Sequence, residues 1–199
     1  NFLGGGYSNY SGNPYVFAWA NFDGEHYLSI AQIGYRELNL AFFPIYPFLM
    51  KFIASMVSFN QLTLVISGLV ISNLSFLAAL VMLYKLILSD YSRQIALLTI
   101  TLILIFPTSF YFGSLYNESL FLLLSVSSFY YLRKNKFIRS AMLGALSSGT
   151  RVFGLILLPA YLVEIWQQKL SFKKYFWILL TPTGLLIYML YQWISVGDP

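Results

Sequence analysis

Two carboxylates and the chain's single histidine fall within four residues, in Phe22-Asp23-Gly24-Glu25-His26-Tyr27. On a helix Asp23 and His26, three positions apart, share a face. A carboxylate held there can take the proton of an attacking hydroxyl as a general base. Glu25 and His26 are then the neighbouring groups that bind the substrate. A purely structural alternative uses the same residues: Asp suits a helix N-cap, and Glu suits a first helical turn. One histidine without a second ligand at metal spacing makes no metal site. No metal and no cofactor is expected.

Two further positions carry chemistry. Glu118 stands in Tyr116-Asn117-Glu118-Ser119, after the aromatic stretch Phe106-Pro107-Thr108-Ser109-Phe110-Tyr111-Phe112. Asn117 can cap a helix there, with Glu118 favoured in its first turn. The functional alternative makes Glu118 a second polar anchor, binding substrate in the same cavity as Asp23. Arg151 ends Ser147-Ser148-Gly149-Thr150-Arg151, inside an otherwise apolar run. An ionisable residue at membrane depth is a functional candidate by default. The planar fork of Arg donates two parallel hydrogen bonds to a phosphate. A structural ion pair is the other reading of Arg151.

The elements that must position these residues are membrane elements. Apolar residues make up 58% of the 199 and charged residues 10%, against about a quarter charged in a soluble domain. There is no cysteine, which excludes disulfides and thiolate metal sites. The net charge of +5 does not point to nucleic acid, because the basic residues sit in short loops between apolar runs. A helix needs about 20 apolar residues to cross a bilayer. Runs fall at 62–88, 94–114, 118–132, 140–166 and 175–196. Residues 1–40 are polar, aromatic and Gly-rich, with a helix from 24 to 35. Residues 41–57 are apolar but short and contain Pro44 and Pro47. Asn9-Tyr10-Ser11 and Asn117-Glu118-Ser119 match glycosylation acceptors, a pattern that often arises by chance.

Basic residues set the orientation. Lys85 and Arg93, then Arg133, Lys134, Lys136 and Arg139, then Lys169, Lys173 and Lys174 flank three loops. If those loops are cytoplasmic, nine of twelve basic residues lie inside and five of seven acids outside. Parity then requires 140–166 to start and finish on the cytoplasmic side. Its 27 residues are too few for two crossings, so a broken hairpin with Arg151 near the tip is expected. Residues 1–40 become an external loop, and 41–57 dip into the outer leaflet. The expected fold class is all-α: a polytopic transmembrane helical bundle whose external first loop carries short interfacial helices.

In order along the chain, these segments resemble the GPI mannosyltransferase 2 (PIG-V) family of GT-C type membrane glycosyltransferases. The resemblance runs from Phe22-Asp23-Gly24-Glu25-His26-Tyr27-Leu28-Ser29-Ile30-Ala31 and Gly34-Tyr35 through Ala41-Phe42-Phe43-Pro44-Ile45-Tyr46-Pro47. It continues at Val70-Ile71-Ser72-Asn73-Leu74, Tyr116-Asn117-Glu118-Ser119-Leu120-Phe121, Thr150-Arg151 and Gly197-Asp198-Pro199. The family usually has Trp where this chain has Phe22, and often Ser where it has Asn117. The family's first transmembrane helix and its C-terminal helices are not in the chain, which alone is expected to be inactive.

The resemblance implies transfer of mannose, or a related hexose, from a polyprenyl- or dolichyl-phosphate carrier to a lipid-linked or glycan acceptor. The reaction takes place on the non-cytoplasmic face. Asp23 matches the first-loop acid that such enzymes use near the reacting centre. The partners are donor, acceptor and membrane lipid, with no nucleic acid. A transporter or lipid flippase without transferase activity is the alternative class, and a non-catalytic subunit of a membrane complex a third. The compact loops favour a prokaryotic plasma membrane over the endoplasmic reticulum.

Overall fold

The computed structural model describes residues 5–167 and 172–197. Lys169 and the terminal Asp198-Pro199 lie outside the described residues. Every regular element among the described residues is helical, so the chain is all-α. Two compact units divide it: Asn1–Leu77 with Phe106–Leu120, and Ala78–Ile105 with Phe121–Pro199.

The first unit opens with the short helices α1 (Tyr7–Gly12) and α2 (Pro14–Phe17) and a 3₁₀ turn at Ala18–Ala20. Helix α3 (Asp23–Ile33) follows and stops at Gly34, whose φ of 85° is open to Gly without strain. Helix α4 (Ile45–Val57) starts after Pro44, with Pro47 in the first turn, where its missing N–H costs no helical bond. The strongest packing in this unit is α3 on α4. Tyr27 of α3 meets Tyr46 of α4 edge to face at 5.1 Å and Phe42 at 5.3 Å. The first loop is also tied down by polar contacts. Asn9 donates its side-chain amide to the Gly5 carbonyl at 2.8 Å and also bonds Gln61, which reaches Gln32 of α3 at 2.9 Å.

Helix α5 (Gln61–Ile87) is inside-out by soluble standards. Leu62, Ile66, Val70, Leu74, Leu77 and Val81 recur at helical spacing and are all exposed. The opposite face buries Ser67, Ser72 and Ser75 with Leu64 and Val65. Hydroxyls inward and branched aliphatics outward is an arrangement that lipid tolerates and water does not. Its 27 residues rise about 40 Å, enough to cross a bilayer.

The second unit holds α6 (Arg93–Ile105), most of α7 (Glu118–Arg133), α8 (Phe137–Ser148), α9 (Leu157–Gln167) and α10 (Thr183–Val196). Between α8 and α9 the chain turns at Gly149-Thr150, extends at Arg151 and makes a 3₁₀ segment at Val152–Ile156. Glycines make the turn possible. A Cβ on Gly154 would collide with the Ser148 nitrogen, and one on Gly184 with the Ala145 carbonyl oxygen. Tyr161 of α9 and Ser140 of α8 both bond Ser128 of α7. Their buried neighbours Leu132, Ile165 and Ile178 form the local core.

Membrane crossing is less evenly distributed than the apolar runs predict. Among the described residues only Gln61–Ile87 and Phe176–Ser195 are long and apolar enough to cross a membrane. The run 94–114 is α-helical only to Ile105, since a residue before Pro, here Phe106 before Pro107, is disfavoured in the α region, and a 3₁₀ turn at Ser109–Gly113 follows. The run 175–196 is a 3₁₀ segment to Leu180, then α10 after Pro182. Apolar length therefore overstated α-helix length where Pro107 and Pro182 stood inside a run.

Candidate functional site

Asp23 is the first residue of α3, not its cap. Phe22 holds the cap position with φ 55° and ψ −118°, and no side chain caps the helix. A bulky aromatic at positive φ is strained backbone, held only where the surroundings over-determine it. The N-capping alternative for Asp23 is thereby removed. Its carboxylate is exposed, at a helix start whose dipole favours a negative charge. Among the described residues neither Asp23 nor Glu25 forms an ion pair.

The segment that precedes α7 packs against this start. The Leu115 N–H donates to the Trp19 carbonyl at 2.9 Å. A Cβ on Gly24 would stand 3.3 Å from both the Cβ and the carbonyl oxygen of Leu115. The Tyr116 hydroxyl donates to the Asn21 carbonyl at 3.1 Å. Burial, then the Asp23 carboxylate, the Tyr111 hydroxyl and the Glu118 carboxylate, push the Tyr116 hydroxyl up to about 12. Tyr116 is therefore a neutral donor flanked by two acids. It is pinned from behind: Ser72 donates to its carbonyl at 3.0 Å, and the Tyr46 hydroxyl lies 2.8 Å from Ser72 while donating to the Gly68 carbonyl at 3.0 Å. Asp23 and Glu118, 95 residues apart in sequence, are thus brought to one tyrosine. Each begins a helix.

Glu25 and His26 face a different space. With Ser29, Arg36, Leu38 and Asn39 they line an open cavity of about 680 Å³. Asp23 is not among its lining residues. The His26 ring stacks on Phe42 at 4.3 Å and sets Nδ1 2.7 Å from the Asn39 side-chain oxygen. Asn39 donates its amide nitrogen to Ser29 at 3.3 Å. The cavity presents a carboxylate, a guanidinium, a hydroxyl, an amide and an imidazole, a mixture that suits a ligand rich in hydroxyls.

Arg151 belongs to the second unit. It is half-buried, on extended backbone just past a turn in which Thr150 donates its hydroxyl to the Ser147 carbonyl at 2.7 Å. Of the predicted site residues, Asp23, Glu25, His26 and Glu118 lie in the first unit and Arg151 in the second. Among the described residues no group of three or more acidic or imidazole side chains could hold a metal ion.

Sequence reasoning missed Arg36, Asn39 and Ser29 as cavity residues and the Tyr116 hydroxyl as the link between the acids. Asn39 lies 13 positions from His26, beyond any helical spacing, and only the return of the chain after Gly34 brings it back. Tyr116 did carry a signal, since it opens the motif quoted for Glu118.

The family model described as Mannosyltransferase (PIG-V) matches residues 8–183. The curated rat (Rattus norvegicus) protein named GPI alpha-1,6-mannosyltransferase 2 is 30% identical over 145 residues, covering 69% of this chain and 30% of its own length. The mouse (Mus musculus) protein of the same name is 31% identical over 145 residues, covering 69% of this chain and 29% of its own. The chain thus spans under a third of these relatives. No solved structure matches it. Both relatives are mammalian, and the prokaryotic membrane read from the compact loops finds no support. The match runs from the first loop, through both acids and Arg151, to the start of α10, and the chain belongs to the mannosyltransferase (PIG-V) family.

Proposed function

We propose that the full-length protein transfers mannose from a polyprenyl- or dolichyl-phosphate carrier to a glycolipid acceptor of the GPI type named in its relatives. The acceptor hydroxyl attacks the anomeric carbon, the bond from that carbon to the carrier phosphate breaks, and the lipid phosphate leaves as the anion. The hydroxyl proton passes to Asp23 as general base. Glu118, beside the same Tyr116, hydrogen-bonds sugar hydroxyls, as do Glu25 and His26 in the adjoining cavity. Arg151 binds the carrier phosphate, where a fork of donors stabilises the leaving charge. No metal or cofactor is invoked.

The observation that carries this reading is Asp23. It is an exposed carboxylate with no ion pair among the described residues, set at a helix start behind a strained Phe22, in a chain of the mannosyltransferase family. The family match favours a transferase over a transporter or flippase. We read the chain as multi-pass, with the first loop on the non-cytoplasmic face and the loops near residues 90, 135 and 170 in the cytoplasm. Single cysteines at Ser11 and Lys136 should be labelled by an impermeant reagent from opposite sides. Labelling of 136 but not of 11 in intact cells overturns that topology. The activity is tested with purified full-length protein, radiolabelled polyprenyl-phosphate mannose and a GPI-type glycolipid. Carrier-dependent labelling of the glycolipid is expected. Movement of the intact carrier or glycolipid across the bilayer without transfer overturns the reading.

A further inference from the structure

We propose that Asn39 is a positioning residue that fixes the tautomer of His26, so that Nε2 meets the cavity as a hydrogen-bond acceptor for a hydroxyl of a carbohydrate ligand. This rests on the transferase reading for the identity of the ligand, but not for the tautomer.

The geometry around the ring is specific. His26 Nδ1 and the Asn39 side-chain oxygen are 2.7 Å apart, a distance that fits N–H to oxygen. The other half of the same amide donates to the Ser29 hydroxyl in a long contact of 3.3 Å, nearer the range of an N–H than of an O–H donor. Asn39 is buried, 5% exposed, so its amide is largely shielded from water. With Nδ1 carrying the proton, neutral imidazole keeps its lone pair on Nε2. The stack on Phe42, 4.3 Å between centroids and 16° between planes, fixes the ring plane. His26 and Asn39 both line the cavity of about 680 Å³, with Glu25 and Arg36 as its charged groups. That space exceeds what the Nε2 contact alone requires and is open to solvent, as a subsite for one end of a larger glycan must be.

An amide here takes the orienting place that the carboxylate holds in a Ser-His-Asp triad and the amide holds in a Cys-His-Asn one. A carboxylate would favour the imidazolium and turn Nε2 into a donor. An amide orients the ring without adding charge, so the acceptor character of Nε2 survives.

The test uses full-length protein labelled with ¹⁵N-histidine, with His26→Gln as the variant that identifies the His26 signals. Wild type is expected to show the Nδ1–H tautomer. Asn39→Leu should lose that preference and raise the glycolipid KM about 5–20-fold, with kcat within about threefold, as for loss of one aligned hydrogen bond. Asn39→Asp keeps an oxygen facing Nδ1 and should restore ring orientation, with acceptor KM near wild type at pH 8 and rising as the pH is lowered. Glu25 and Arg36 are common to all variants and cancel in the comparison. An Nε2–H tautomer in wild type overturns the proposal whatever the activity. So does an Asn39→Leu protein with the wild-type tautomer and KM. Wild-type protein that binds no glycan but shows the Nδ1–H tautomer refutes the transferase reading and leaves the tautomer assignment standing.

Discussion

Asp90 and Glu164, in the second unit, both meet Arg133, whose Nε lies 3.0 Å from a Glu164 oxygen. The guanidinium also stacks over Phe129, 5.3 Å from its centroid. Glu164 is buried there, so the pair holds the end of α9 against the end of α7. In the first unit Asp23 stands exposed at a helix start, with no ion pair among the described residues, and Glu25 opens onto a cavity. An acid that builds the fold is matched to a cation and desolvated with it. A carboxylate that must take a proton from a substrate needs access to it, and a tightly bound cation would lower its basicity. The contrast sorts the acids by environment, which their shared residue type cannot do.

The largest effect that would sharpen this contrast, Asp23 aside, concerns Arg151. If it holds the carrier phosphate, Arg151→Met should raise the donor KM roughly 10–100-fold, the loss of a charge-assisted pair of bonds. Arg151→Lys should lie between, since it keeps the charge and loses the fork. Thermal stability in detergent should hold in both. Lost stability with unchanged donor dependence assigns Arg151 to structure instead.

Arg133→Met should act in the opposite manner, on stability and not on KM. It strands Glu164, at a cost of about 2–3 kcal/mol, set below the range for fully buried pairs because Arg133 is 24% exposed. The double variant Arg133→Met with Glu164→Met should recover most of that loss. If the double variant is no better than the single, Arg133 is not compensating Glu164. Next in size is Tyr116→Phe, which removes the bond to the Asn21 carbonyl and should cost about 1 kcal/mol. The exposed partner gives the smallest change: Asp90→Asn should lower stability by about 0.5 kcal/mol, an effect that shrinks as salt is added.

The helical class was legible because lipid selects residue type directly. The apolar run at 62–88 announces α5 by its length. The pause at Ser147–Arg151 was legible from polar residues inside an apolar run. Helix ends were not, wherever Pro107 and Pro182 cut a run that composition read as continuous. Asp23 and Glu25 could be picked out as residue types, but their separation could not. Whether a first-turn acid caps, pairs or stays open depends on the strained Phe22, and on partners such as Tyr116 that reach it from 93 positions away. Arg133, read only as a loop charge that orients the chain, proved to be a structural centre because Asp90 and Glu164 converge on it from distant segments.

The most direct test of the account is the turnover of Asp23→Asn in the full-length enzyme, measured with saturating polyprenyl-phosphate mannose and glycolipid beside its melting temperature in detergent. Asn preserves shape and polarity, and since Asp23 caps nothing, the fold has no reason to change. The account predicts a fall in kcat of roughly two to four orders of magnitude with both KM values and the melting temperature near wild type. Wild-type turnover in that variant, or a loss of activity that merely follows a loss of folded protein, would contradict the claim that Asp23 is the base.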